Sequence, residues 1–280
     1  MAKKMYDGDA VRFAFNIWDF TSARAVLEAA QEAGQDVILQ TSAGIYHELP
    51  QEELRSFVTS YAESLGINAW LNLDHCRDEQ MVRDAMDKGW DSVMLDMSQK
   101  SLAENIAAVN RLHAYAQSKA HRPYVEAEVG ILQGTEEDIT SIESHIATRT
   151  DIDKFAEQAS FDALAVAFGN AHGTYRTKPE LHYDLVEYAA AKSGRPFVVH
   201  GASGLSDEAV SKLAAIRGVR KINISTDLKL AALQGYREAE GKGFFAETGF
   251  QPVKISQYVQ EAVKNKALAK LSILKGEGKI

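Results

Sequence analysis

The chain has 280 residues, of which 45% are hydrophobic and 25% are charged, and its formal net charge at pH 7 is -8. This length and composition fit one large α/β domain or two small ones, and the negative charge argues against nucleic acid as a partner. The chain has no apolar run of membrane-spanning length, no apolar signal core and a single cysteine, so we expect no membrane partner and a cytoplasmic location.

Eight short runs of β-branched and apolar residues alternate with longer amphipathic patterns along the chain. The predicted strands are residues 11–17, 36–41, 68–74, 92–96, 124–130, 163–169, 196–200 and 220–225. The helical patterns between them cover residues 21–33, 51–65, 78–88, 101–119, 151–159, 181–192 and 207–216. Two further helices are predicted after the eighth strand, at residues 227–240 and 255–274.

This alternation predicts the fold. Strands with near-continuous apolar character are typical of parallel sheets that are covered on both faces. Eight such strands, each followed by a helix, in a chain of this length indicate a (β/α)8 TIM barrel rather than an open sheet. We therefore predict a single α/β barrel domain over residues 1–280, with extra C-terminal helices that complete the outer ring.

Polar side chains fall at the ends of the predicted strands. In TIM barrels the active site is built at the C-terminal ends of the strands. Each predicted strand ends in, or is followed by, a side chain that can bind a metal or form hydrogen bonds: Asn16, Gln40, Asp74, His75, Asp96, Glu128, His172, His200 and Asn223. Because all eight strands contribute to the same rim, we predict one shared site there.

Three of these rim residues are histidines, namely His75, His172 and His200. Three imidazoles with an open position for water or substrate are typical of a catalytic zinc site. The alternative is that each histidine only caps a strand through a hydrogen bond. Cys76 is a further candidate ligand, although a cysteine is more often a small buried hydrophobic residue.

Small polar residues and glycines follow the sixth, seventh and eighth strands. Such residues let backbone N–H groups and hydroxyls approach an anion beside a helix N-terminus. In this fold a phosphate is often bound between the last two strand loops. The predicted phosphate-binding residues are Gly173, Gly201, Ser203, Asn223, Ser225 and Thr226. The alternative interpretation is ordinary helix capping by Ser206 and Thr226.

Six segments resemble, in order, the motifs of the class II ketose-bisphosphate aldolases, whose best-known members act on fructose and tagatose bisphosphates. They are Leu71-Asn72-Leu73-Asp74-His75, Ser92-Val93-Met94-Leu95-Asp96, Val125-Glu126-Ala127-Glu128-Val129-Gly130, Asn170-Ala171-His172-Gly173, His200-Gly201-Ala202-Ser203-Gly204 and Lys221-Ile222-Asn223. The resemblance implies reversible cleavage of a phosphorylated ketose to dihydroxyacetone phosphate and an aldehyde.

The resemblance also implies a role for most rim residues. His75, His172 and His200 occupy the positions of the zinc ligands, and zinc acts as a Lewis acid on the substrate carbonyl. Asp74 matches the general acid/base that takes the hydroxyl proton at the carbon that becomes the aldehyde. Its alternative role is to orient a neighbouring histidine. Asp96 and Glu128 match acids that hold the metal in an alternative position or surround its ligands.

A further proton carrier is implied in the loop of residues 131–146. The family has a mobile loop whose glutamate moves the proton of the nucleophilic carbon; Glu136 is the better match and Glu137 is the fallback. Asn16, Gln40 and Ser42 resemble residues that line the other half of the substrate. The resemblance further implies a homodimer or homotetramer, and it allows a monovalent cation near the phosphate.

The distal end of the substrate is less well matched. The tail, from Lys275 to Ile280, lacks the arginine that can hold a distal phosphate in the family. Either Lys275 or Lys279 substitutes for it, or the aldehyde half carries no phosphate.

Other classes of function remain as alternatives. A metal-dependent sugar-phosphate isomerase or epimerase on the same barrel would use Asp74 and Glu136 as proton carriers. A Schiff-base aldolase would need an activated lysine on a strand, but the sixth predicted strand ends Phe168-Gly169 and Lys221 lies at the start of its strand. A non-catalytic sugar-binding barrel would keep the phosphate motifs and lose the metal ligands, whereas this chain has both sets.

Overall fold

The structure is a computed structural model that describes residues 4–132, 134–136, 139–141, 145–173, 175 and 178–275. It contains the strands β1 (Arg12–Asn16), β2 (Val37–Thr41), β3 (Ala69–Cys76), β4 (Ser92–Leu95), β5 (Tyr124–Val129), β6 (Gly134–Glu136), β7 (Ile139–Ser141), β8 (Ala163–Val166), β9 (Phe197–Val199) and β10 (Val219–Ile224). Eight parallel strands close into a barrel in the order β1-β10-β9-β8-β5-β4-β3-β2. The predicted (β/α)8 TIM barrel is therefore confirmed.

Helices follow the barrel strands and form its outer layer. They are α1 (Phe20–Ala33), α2 (Ala43–Glu48), α3 (Gln51–Leu65), α4 (Glu79–Asp87), α5 (Leu102–Gln117), α6 (Arg149–Gln158), α7 (Tyr183–Ser193), α8 (Asp207–Ala215), α9 (Thr226–Gly241) and α10 (Pro252–Lys275). The last helix, α10, packs against α1 and α9, so it completes the outer ring as predicted. Within the described residues, no helix has both the length and the apolar character needed to cross a membrane.

Two elements were not predicted. Residues 131–146 contain an antiparallel hairpin of β6 and β7, extended by a bridge between Ile131 and His145, where the sequence predicted a loop. The short helix α2 follows β2 and begins at Ser42, whose hydroxyl oxygen accepts a long hydrogen bond from Ile45 N at 3.5 Å. It has six residues and contains Gly44, so it is too short to show helical periodicity.

The barrel strands have two differently used faces. On β3, Leu71 and Leu73 belong to the large apolar core between barrel and helices, whereas Asn72 and Asp74 lie on the opposite, inner face. The N-terminal end of the barrel is closed from below. Met5 packs with Ala14, Ile38 and Trp70 there, and the ring of Tyr6 meets that of Tyr124 edge-on. The interior is therefore open towards the C-terminal rim.

Candidate active site

The end of β3 departs from regular strand geometry. Leu73 pairs with Val93 but Cys76 pairs with Leu95, so β3 has one more residue than β4 over this stretch. His75 has a φ of 46°, and among the described residues it is the one non-glycine residue with a positive φ. Such a conformation costs about 1–3 kcal/mol and is often found at functional sites. This bulge lets two consecutive side chains, Asp74 and His75, both reach the barrel interior.

Asp74 is almost fully buried and is held by side-chain amides. Its Oδ2 accepts hydrogen bonds from Asn16 Nδ2 at 3.3 Å and Gln40 Nε2 at 3.0 Å, and its Oδ1 accepts one from Asn223 Nδ2 at 3.2 Å. Gln40 is itself fixed, because its Oε1 accepts from Asn72 Nδ2. Asn16 and Gln40 were predicted to line the substrate, and the structure places both against this carboxylate.

The three predicted histidines lie together at the rim. The ring centroid of His75 lies 4.6 Å from that of His172 and 4.5 Å from that of His200, and the other two rings are 6.3 Å apart. All three side chains are buried. The three rings approach one another from β3, from the loop after β8 and from the residue that follows β9.

Two carboxylates face the same histidines. His75 Nδ1 lies 3.5 Å from Asp96 Oδ2 and 3.8 Å from Glu128 Oε2, and His200 Nδ1 lies 3.4 Å from Glu128 Oε1. Ligand atoms of His75, Asp96 and Glu128 lie within 4.8 Å of one another, as do those of Asp74, His75 and His200. His75, His200 and Glu128 each have a buried polar atom without a hydrogen-bond partner among the described residues. Because such atoms are costly unless they are paired, this donor set fits a bound metal ion.

The electrostatics of the cluster favour a cation. Burial alone would lower the pKa of His75, but the negative charges of Asp74, Asp96 and Glu128 raise it to about 10. Burial would likewise raise the pKa of Asp96, but the neighbouring His75 and hydrogen bonds from Ser98 hold that pKa well below its ordinary value. The site therefore concentrates negative charge in a place from which water is largely excluded.

Below His200, an ion pair crosses the barrel interior. His200 Nε2 lies 2.7 Å from Glu126 Oε1, and Lys221 Nζ donates to Glu126 Oε2 at 2.8 Å. All three side chains are fully buried. Burial would raise the pKa of Glu126, but Lys221 and His200 lower it to about 2. A Schiff-base lysine must be a neutral amine, so the pairing of Lys221 with a carboxylate disfavours that alternative.

The six predicted phosphate-binding residues line one small cleft. It is lined by His172, Gly173, Gly201, Ser203, Asn223, Ser225 and Thr226. Ser203 Oγ accepts hydrogen bonds from Ser225 N at 3.0 Å and from Asp227 N at 3.4 Å. The cleft lies at the N-terminus of α9, where an anion is favoured. Of the two capping alternatives, Ser206 does cap α8, whereas Thr226 is the first helical residue of α9.

The remaining predicted residues have different positions. Ser42 is the N-cap of α2, as described above. Cys76 lies on the helix side of β3, with its Sγ 3.4 Å from Asp78 O and 3.5 Å from Met81 Sδ, and burial raises its pKa to about 11. It is therefore a buried thiol facing α4. The backbone of Glu136 ends β6; its side chain, Glu137, the side chain of Lys275 and Lys279 lie outside the described part of the chain.

Three interior residues, Asn72, Glu126 and Lys221, stand in the recognised motifs but were not predicted as site residues. Each precedes a recognised site residue by two positions on the same strand, namely Asp74, Glu128 and Asn223. Residues two apart on a strand share a face. This two-residue repeat was the available signal, because the position two residues before each of these rim residues holds one of the three interior residues.

Comparison with known proteins identifies the family. The family described as Fructose-bisphosphate aldolase class-II matches residues 1–279. The chain belongs to this family. It is therefore an aldolase, a carbon–carbon lyase, and class II aldolases are typically metal-dependent.

Two relatives cover most of the chain. The chain is 30% identical over 228 residues to the sulfofructosephosphate aldolase of Alkalicoccus urumqiensis, covering 80% of this chain and 78% of that protein. It is 32% identical over 274 residues to YdjI of Escherichia coli K12, covering 95% and 92% of the two chains. The crystal structure of the YdjI aldolase has a TM-score of 0.81 to this structure, at 28% identity, and covers 98% of this chain and 95% of that one.

A more distant structure shows the same fold. The crystal structure of a putative fructose-1,6-biphosphate aldolase from Coccidioides immitis has a TM-score of 0.83 at 23% identity, covering 98% of this chain and 94% of that one. At this identity the likeness concerns the barrel alone.

The cleft gives a testable prediction about Gly201. An added Cβ there would lie 2.4 Å from the Ala171 carbonyl oxygen, so the two loops would have to move apart. Gly204→Ala is the matched control, because Gly204 also has a positive φ but its added Cβ would meet Tyr175 Cδ2 at an ordinary 3.4 Å. We expect Gly201→Ala to raise the KM for a ketose phosphate roughly tenfold or more above that of the control. Equal KM values for the two variants would contradict the prediction that this cleft binds the phosphate of the substrate.

Proposed function

We propose that the enzyme catalyses the reversible retro-aldol cleavage of a ketose 1-phosphate or 1,6-bisphosphate to dihydroxyacetone phosphate and an aldehyde, with zinc as its metal. The observation that carries this proposal is that the histidine cluster, the cleft at α9 and Asp74 are contiguous. His172 belongs both to the histidine cluster and to the cleft at the N-terminus of α9. Asn223 lines the same cleft and donates a hydrogen bond to Asp74. One ketose phosphate can therefore contact all three subsites at once.

His75, His172 and His200 would hold the metal ion, and Asp96 and Glu128 would surround it. When bound, the zinc supplies Lewis-acid polarisation of the substrate carbonyl. These histidines would hold the ion from β3, from the loop after β8 and from the residue that follows β9, three strands of the same closed barrel. For His75 and His200, ring nitrogens that lack a hydrogen-bond partner among the described residues would be the ligand atoms.

Asp74 acts as the general acid/base in this proposal. In cleavage it takes the proton from the hydroxyl oxygen at the carbon that becomes the aldehyde, and in condensation it returns the proton. All three amide groups around Asp74 donate to it, so its carboxylate is fixed in orientation and remains an acceptor. Glu136, or Glu137 as the fallback, moves the proton of the nucleophilic carbon. A carboxylate at the end of β6 is well placed in the sequence for this role, because the β6–β7 hairpin follows β5.

The phosphate of the dihydroxyacetone half would bind in the cleft at α9. The hydroxyl of Ser225 and the amide oxygen of Asn223 are buried there without a hydrogen-bond partner among the described residues. Ser225 Oγ can donate to a phosphate oxygen, and the N-terminus of α9 adds a favourable dipole. A monovalent cation beside this phosphate stays a prediction.

The aldehyde half of the substrate is proposed more broadly. A ketose phosphate whose distal end carries no phosphate is the second candidate. One observation favours it. The relative from Alkalicoccus urumqiensis, at 30% identity, is named a sulfofructosephosphate aldolase, and the substrate in that name is not a bisphosphate. The distal residues Ser42, Lys275 and Lys279 are candidates for contact with this end.

The assembly of the enzyme is also a proposal. We propose one aldolase domain over residues 1–280, in line with the family match to residues 1–279, and a homodimer or homotetramer in the cytoplasm. Exposed apolar side chains on α9, in the segment after it and at the start of α10 support self-association, namely Leu230, Leu233, Tyr236, Phe245, Phe250 and Val253. Sedimentation at the mass of one chain would contradict the oligomer.

Release of a triose phosphate tests the proposed reaction. The zinc-loaded enzyme should cleave a ketose 1-phosphate or 1,6-bisphosphate and release dihydroxyacetone phosphate. A strong chelator should abolish this release and added zinc should restore it, because the metal supplies the electrophile. Cleavage that survives chelation, together with a covalent enzyme–substrate adduct that borohydride traps, would point to a lysine Schiff base instead. Turnover of the ketose phosphate without triose release would point to an isomerase or epimerase.

A second prediction separates catalysis by Asp74 from metal binding. Asp74→Asn keeps the shape of the side chain but removes the base, so kcat should fall roughly 10²- to 10⁴-fold while the zinc content stays close to one per chain. Asp78→Asn is the matched control, since it makes the same change four residues later and asparagine caps α4 as well as aspartate does. If Asp74→Asn lost its zinc together with its activity, Asp74 would be a metal-site residue rather than the base.

A further inference from the structure

The interior ion pair of Glu126 and Lys221 is unusual for its position. The two residues lie on β5 and β10, which are not neighbours in the barrel, so the pair spans the interior. Both side chains are fully buried, and Glu126 Oε2 lies 2.8 Å from Lys221 Nζ. A buried ion pair is often no more stabilising than an apolar pair of the same volume. Stability alone therefore does not explain why the barrel contains it.

The surroundings of the pair keep it away from water. Below it, Tyr6 packs against Ala163, Ala165 and Val198 on the inner face of the barrel. The apolar closure at Met5, described above, covers the rest of this end. In such an environment an orienting hydrogen bond is stronger than it would be at the surface.

The second carboxylate oxygen of Glu126 connects the pair to the histidine cluster. Glu126 Oε1 lies 2.7 Å from His200 Nε2. The other ring nitrogen, Nδ1, lies on the side of Glu128 and has no hydrogen-bond partner among the described residues. A carboxylate accepts a hydrogen bond and cannot donate one, so the proton of a neutral His200 ring is on Nε2. Its lone pair is then on Nδ1, towards His75 and Glu128.

We propose that the Lys221–Glu126 pair is a positioning device for His200, which fixes the ring and its tautomer so that Nδ1 is presented to the metal. Glu126 accepts the Nε2 proton in a hydrogen bond. Lys221 holds the other oxygen of Glu126 and balances its charge, so that the carboxylate keeps one orientation. This inference rests on the proposed metal site. It makes Glu126 and Lys221 positioning residues, since neither contacts substrate.

A matched pair of double variants tests the hydrogen bond without leaving a buried charge alone. Glu126→Gln with Lys221→Met removes both charges but keeps an acceptor for His200 Nε2. Glu126→Leu with Lys221→Met removes both charges and the acceptor. We expect the leucine variant to bind zinc roughly 10- to 100-fold more weakly than the glutamine variant in competition with a chromogenic chelator, as is usual when the partner of a metal-bound histidine is lost. Circular dichroism and the unfolding midpoint of the metal-free proteins show whether both variants are folded.

Equal zinc affinities in two folded variants would overturn the proposal. At saturating zinc the two variants should differ little in KM, because neither residue contacts substrate. If the variants do not fold, the wild-type enzyme provides the test. In the zinc-loaded protein labelled with ¹⁵N-histidine, the His200 ring should carry its proton on Nε2, with the shift caused by zinc on Nδ1. A zinc-bound Nε2 would overturn the proposal.

The same measurements separate this inference from the proposed function. A wild-type protein that binds no zinc would overturn the metal site, and the inference with it. A wild-type protein that binds zinc and releases triose phosphate, alongside variants of equal zinc affinity, would overturn the role of Glu126 and Lys221 alone.

Discussion

The site depends on the backbone of one residue, His75. In a regular strand, Asp74 and His75 would point to opposite faces of the barrel wall, so that one of the two side chains would face the helix layer instead of the interior. The left-handed conformation of His75 and the extra residue at the end of β3 turn both side chains inwards. The strain is offset by the packing of the closed barrel on either side. The proposed base and a proposed metal ligand are adjacent in the chain for this reason.

From the rim down to the N-terminal end, the barrel interior is organised in layers of different polarity. Next to the rim, the amides of Asn16, Gln40 and Asn223 hold Asp74, while the carboxylates of Asp96 and Glu128 face the histidines. Further down, the interior pair of Glu126 and Lys221 follows, and below it are the apolar side chains that close the N-terminal end. Charge is thus confined to places where a partner is available, as burial in a low dielectric requires.

The sequence predicted the barrel and the rim well because both depend on a simple period. Strand spacing gave the fold, and polar residues at strand ends gave the histidine cluster and the complete lining of the α9 cleft. The bulge at His75 was not predicted. Histidine is found at positive φ more often than most non-glycine residues, but the great majority of histidines have negative φ, so the residue type alone does not mark such a position. The β6–β7 hairpin was missed because three-residue strands show no period. Glu126 was not predicted because it lies inside its strand rather than at the end, two residues before Glu128 on the same face.

The central claim is that the three histidines bind one zinc ion beside Asp74. The most direct measurement is an anomalous difference map at the zinc edge from crystals of the zinc-loaded enzyme. The account predicts a single peak coordinated by ring nitrogens of His75, His172 and His200, with Nδ1 as the ligand atom of His200. A zinc ion held by Asp96 and Glu128 alone, or no zinc at this rim, would contradict it.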